Sequence, residues 1–123
     1  MFELSAGFEF SAAHHIVPDK AGRDHYSRLH GHSFQAAITC TAPVNAHKGW
    51  AIDLGDIEAA AEDIRQGLDK KYLNEVEGLG APTLEALCVY IWRRARSRGL
   101  PVSRVSVRRD SLKQACTLTS EPE

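Results

Sequence analysis

A chain of 123 residues suits one compact domain with a modest core and leaves little room for a second. With 43% hydrophobic and 25% charged residues, it has the balance of a globular protein, which excludes a disordered or fibrous chain. Fifteen Lys and Arg stand against 16 Asp and Glu, so no global field draws it to nucleic acid or an anionic membrane, and no apolar run is long enough to cross a bilayer.

The chain starts MFELSAGFEF, without the basic and apolar regions of a signal peptide, and a cytoplasmic address is expected. Residues 2 to 11 alternate, Phe2, Leu4, Ala6, Phe8 and Phe10 against Glu3, Ser5, Gly7, Glu9 and Ser11, the period of a half-buried strand. A polar stretch with Pro18, Gly22 and Asp24 precedes a second strand over about 30 to 41, with Phe34, Ala36 and Ile38 on one face. Pro43 to Gly49 supply a turn.

From Asp53 the period lengthens. Leu54, Ile57, Ala61, Ile64 and Leu68 recur at helical spacing behind a capping aspartate, which predicts a helix over about 54 to 68. Pro82 and Thr83 announce a second helix carrying Leu84, Leu87, Ile91 and Ala95, which Gly99 stops; its four late arginines suit a helix C-terminus. Short strands around 104 to 109 and 115 to 119 complete an α+β arrangement of four antiparallel strands and two helices, expected as a single domain over 1–123. Cys40, Cys88 and Cys116, odd in number and widely spaced, predict buried thiols and not a disulfide framework.

Five of the six histidines lie within the first 32 residues. On a strand, His30 and His32 point to one face, so their imidazoles can share an ion, and Gly31 between them would let the chain pass close. Catalytic zinc takes three protein ligands and water, and His14, at the end of the neighbouring strand, is the natural third donor. The plainer reading is of scattered surface or core histidines. His15 would point away from His14, and His25 and His47 fall in predicted loops.

Taken together, FSAAH at 10–14, LHGHSF at 29–34, GWAID at 49–53, LDKKYLNE at 68–75 and PTLE at 82–85 resemble the 6-pyruvoyl-tetrahydropterin synthase and 6-carboxy-tetrahydropterin synthase family over almost the whole chain. The resemblance implies the tunnelling fold, an antiparallel sheet with two helices on one face. It also implies homo-oligomers, commonly trimers or hexamers, with sites between subunits, and His14, His30 and His32 as ligands of Zn2+.

Three positions depart from the family pattern. Tyr26 stands where synthases carry a cysteine, and a phenol, titrating near 10, donates a proton more readily than it accepts one. In the LDK block Asp69 is kept, while Lys70 replaces the expected catalytic histidine. Arg109 takes the place of the strand-ending glutamate that holds the pterin; a register slip of one residue would instead give that place to Asp110. Arginine presents only donors and prefers a carboxylate or phosphate. Arg109 is therefore a candidate substrate-binding residue, Glu85 is another whose plainer role is to complement the dipole of the second helix, and Tyr26, Asp69 and Lys70 are candidate catalytic residues.

The expected activity is a zinc-dependent enzyme acting on a small substrate bearing carboxylate or phosphate, in a ring-forming condensation of amine and aldehyde like the Pictet-Spengler cyclases among the family's relatives. The alternatives are a 6-carboxy- or 6-pyruvoyl-tetrahydropterin synthase acting on dihydroneopterin triphosphate, and a non-catalytic zinc- or ligand-binding relative.

Overall fold

A computed structural model describes residues 1–17, 21–22 and 27–123. Four strands, β1 (Phe2–His14), β2 (His30–Ala42), β3 (Val102–Arg109) and β4 (Gln114–Leu118), form one antiparallel sheet in the order β1-β2-β3-β4. Two helices, α1 (Leu54–Leu68) and α2 (Leu84–Ser97), lie between β2 and β3 in sequence. None is long and apolar enough to cross a membrane.

Period-two alternation decides which face of the sheet is covered. Phe10, Phe34, Ile38, Val105 and Val107 point inward and are buried, while Glu3, Gly7, Glu9 and Ser11 face out. Phe10 and Phe34 are cross-strand partners whose rings stack at 4.9 Å. Against this face α1 sets Ile57, Ile64 and Leu68 and α2 sets Leu87 and Ile91, all fully buried; each such side chain contributes roughly 1.5–3 kcal/mol by leaving water.

The helix ends follow local chemistry. Asp53 caps α1 by accepting from the Gly55 N–H at 2.9 Å, and Thr83 caps α2 by accepting from the Ala86 N–H at 3.1 Å. Gly99, with φ of 85°, follows α2 in the left-handed conformation that closes many helices. The corresponding residue after α1 is Lys70, at φ of 59°.

β1 runs beyond the predicted strand, to His14, because His14 pairs with His30 and Ala12 with His32. That register delivers the amino-terminal histidines to the covered face.

Candidate metal centre

His14, His30 and His32 meet at the end of the β1-β2 ladder, their candidate ligand atoms all within 4.8 Å of one another. Ring centroids are 4.6 Å apart for His14 and His30, 5.0 Å for His14 and His32, and 4.7 Å for His30 and His32. The cause is the pleat: directly opposed and i, i+2 residues share a face.

Second contacts orient the rings. His14 Nδ1 donates to the Pro82 carbonyl at 2.9 Å and His30 Nδ1 donates to the Arg28 carbonyl at 2.6 Å, so each ring keeps its Nε2 lone pair for another partner. The Nε2 atoms of His14 and His32 are buried and make no hydrogen bond. Polar atoms in that condition cost free energy unless something else satisfies them, and three neutral imidazoles are a donor set that suits a borderline cation. The residues therefore fit a metal ion.

Electrostatics act in the same direction. Burial, followed by the positive charge of Arg109 and the neighbouring imidazoles, pushes His32 down to about 4. Burial also lowers His14, against the pull of the Pro82 carbonyl. Both rings are thus neutral near pH 7, the form that ligates a metal.

Arg109 continues the inward alternation of Val105 and Val107, and its charge reaches both His14 and His32. Asp110 is exposed, accepts from Arg108 Nε at 2.9 Å and places its N–H on Gln35 Oε1 at 3.0 Å. The β3 side chain whose charge reaches the triad is accordingly Arg109, while Asp110 is exposed and bonded to Arg108.

Other expected residues fall in different surroundings. Asp69 has both oxygens engaged: Oδ1 accepts the Ser11 N–H at 3.0 Å and Oδ2 accepts from Arg65 Nη1 at 2.9 Å, which clamps the end of α1 to β1. Lys70 is exposed and lines an open cleft that His32 also borders. Glu85 is exposed in the first turn of α2. Tyr26 lies outside the described residues. Gly31 is not needed for space, because an added Cβ would meet only the Ala12 carbonyl oxygen at an ordinary 3.6 Å.

A polar cluster beside the triad carries no signature in the residue pattern. The Tyr72 hydroxyl is 2.6 Å from His15 Nδ1, and Asn74 brackets the His15 backbone, accepting from its N–H at 3.0 Å and donating to its carbonyl at 3.1 Å. His15 does diverge from His14. The YLN run within 68–75 was the available hint, but no spacing rule links it to residue 15.

The model of the family described as 6-pyruvoyl tetrahydropterin synthase matches residues 3–121. The chain belongs to this family. A 6-carboxy-5,6,7,8-tetrahydropterin synthase of Synechocystis is 31% identical over 106 residues, covering 82% of this chain and 80% of that protein. A putative 6-carboxy-5,6,7,8-tetrahydropterin synthase of Archaeoglobus fulgidus is 31% identical over 98 residues, covering 80% of this chain and 79% of its own. The Caenorhabditis elegans 6-pyruvoyl tetrahydropterin synthase superposes with a TM-score of 0.82 at 19% identity, covering 98% of this chain and 96% of its own, a likeness of fold. These family relatives carry pterin-synthase names, which lies closer to the synthase alternative than to the condensation expected from the altered residues.

Proposed function

We propose that this protein is a zinc-dependent lyase of the 6-carboxy-tetrahydropterin synthase kind, acting on a dihydropterin triphosphate. The observation that carries the reading is the convergence of His14, His30 and His32 with two buried Nε2 atoms that lack hydrogen-bond partners. Membership of the family and relatives 31% identical supply the reaction class.

Bound by the three imidazoles, zinc would act as a Lewis acid on an oxygen of the substrate side chain. The chain's own residues would do the rest. Arg109 holds an anionic group beside the triad, and its guanidinium adds to the burial that keeps His32 unprotonated. Lys70 Nζ and the Tyr26 hydroxyl are the groups offered for proton transfer in place of the family's histidine and cysteine. Glu85, at the α2 entrance, is the remaining carboxylate assigned to substrate. The same reading takes the working enzyme as a homo-oligomer with sites between subunits, located in the cytoplasm.

Arg109 favours a second reading. A guanidinium cannot accept the N–H donors of a pterin edge, whereas it pairs well with a substrate carboxylate, as a Pictet-Spengler condensation of an amino acid derivative with an aldehyde would require.

Incubation of zinc-loaded protein with dihydroneopterin triphosphate, followed by mass spectrometry, tests the first reading; a tetrahydropterin product is expected. The absence of both turnover and binding of that compound would sink it. Carboline formation from tryptophan derivatives and an aldehyde would establish the second.

A further inference from the structure

The ladder between β1 and β2 ends where a candidate metal ligand sits. His14 and His30 form its last rung, and His15 lies just past it. A different segment takes over there. The chain leaving α1 does not turn straight into solvent: the Lys70 N–H donates to the Ser11 carbonyl at 2.6 Å and the Ala13 N–H donates to the Lys71 carbonyl at 3.0 Å. Residues 70–72 thus run beside β1, and Tyr72 bridges to Ala13 in parallel. A short turn over Leu73–Glu75, rooted in the core by the fully buried Leu73, then brings the Asn74 side chain to His15.

Asn74 engages His15 as a neighbouring strand would. Its Oδ1 accepts the His15 N–H at 3.0 Å and its Nδ2 donates to the His15 carbonyl at 3.1 Å, so one side-chain amide takes both polar backbone groups of a residue beyond the sheet. A primary amide carries the acceptor and the donors that a peptide group requires, and it bears no charge that acid could change. The Ala13 bond to Lys71 and the two Asn74 bonds therefore fix the backbone one residue before His14 and one residue after it. Strand ends without such partners open readily, and a ligand set tolerates displacements of only about 0.5 Å.

We infer that Asn74 is a positioning residue for His14, holding the end of β1 so that this imidazole meets those of His30 and His32. The Pro82 carbonyl orients the ring, whereas Asn74 fixes the backbone from which the ring hangs. The Tyr72 hydroxyl, 2.6 Å from His15 Nδ1, acts on a side chain that diverges from the triad and has no share in this role. The inference rests on the metal binding proposed above and is independent of which substrate the enzyme takes.

The test is zinc affinity by chelator competition, together with the visible spectrum of the cobalt-loaded protein, which reports ligand geometry. Asn74→Ala should lose roughly tenfold to a hundredfold in zinc affinity and alter the cobalt spectrum. Tyr72→Phe and His15→Ala leave the backbone bonds of residue 15 in place, so both should keep zinc affinity within about twofold and the wild-type spectrum. A loss of general stability alone would lower the melting temperature of Asn74→Ala without singling it out in the spectrum. In the metal-free wild type, the His15 amide should exchange its hydrogen about tenfold or more slowly than an unprotected amide, a measurement that needs no variant to fold. Free exchange at His15, unchanged zinc affinity in Asn74→Ala, or an equal loss in His15→Ala overturns the inference. A wild-type protein that takes up no zinc removes the proposed function and this role together, whereas zinc uptake indifferent to Asn74 removes the role alone.

Discussion

His14 and Pro82, 68 residues apart in sequence, are joined by a hydrogen bond of 2.9 Å from the ring Nδ1–H to the carbonyl. The carbonyl belongs to the residue just before the Thr83 cap of α2, so the placement of one candidate metal ligand depends on how that helix begins. Partners of this kind fix ring orientation and tautomer.

Removing the cap should therefore be felt at the metal. Thr83→Ala deletes the bond to the Ala86 N–H and should cost about 1 kcal/mol of stability. Zinc affinity, measured by competition with a chromophoric chelator, should fall roughly tenfold as the Pro82 carbonyl loses its fixed position. Lowered stability with unaltered zinc affinity would show that the ring is held by other contacts.

Acid should weaken the metal-free protein through the same rings. The pKa of His32 drops from 6.5 unfolded to about 4 folded, and that of His14 is lowered too. Between those pH values the unfolded chain holds a proton that folded His32 refuses, so stability declines as pH falls through the window from 6.5 to about 4 and loses nothing further through this group below it. Zinc binds only the unprotonated rings, so the stabilisation it confers at pH 7 should vanish toward pH 4. Thermal melts at several pH values, with and without zinc, check both; His32→Gln should flatten the metal-free slope.

The period of a strand explains why the triad could be found without coordinates. His30 and His32 obey it locally, and one added strand supplies His14. The Leu54–Leu68 helix was equally plain, because its apolar stripe is unbroken and Asp53 caps it. Where both faces carry small apolar residues the signal fades. Ala12 and Ala13 interrupt the polar alternation, and β1 was expected to stop at residue 11 when it continues to His14. Val102 and Ser103 similarly precede the predicted start of β3. The run of 70–72 beside β1 was illegible for a different reason: its bonds are between backbone groups, which leave no mark on side-chain choice. The engagement of Asp69 by Ser11 and Arg65 was hidden for the same cause, since one of its partners is an amide.

Asp69 offers a sharp test of structure against chemistry. Asn keeps an acceptor for the Ser11 N–H but gives up the charge that pairs with Arg65. Asp69→Asn should cost on the order of 1 kcal/mol in denaturant unfolding, with kcat reduced only several-fold. A loss of about a thousandfold in kcat at unchanged stability would instead place Asp69 in proton transfer.

Lys70 carries backbone strain at the exit of α1. In the left-handed conformation Lys70→Gly relieves at least about 1 kcal/mol of folded-state strain, while the freer unfolded glycine takes back about half of that. The net expectation is a gain of about 0.5 kcal/mol, or a rise of roughly 2–3 °C in Tm for a chain of this size. Thermal melts of the two proteins in the same buffer check it. A variant that melts lower would mean that the left-handed backbone at this residue is not the strain described.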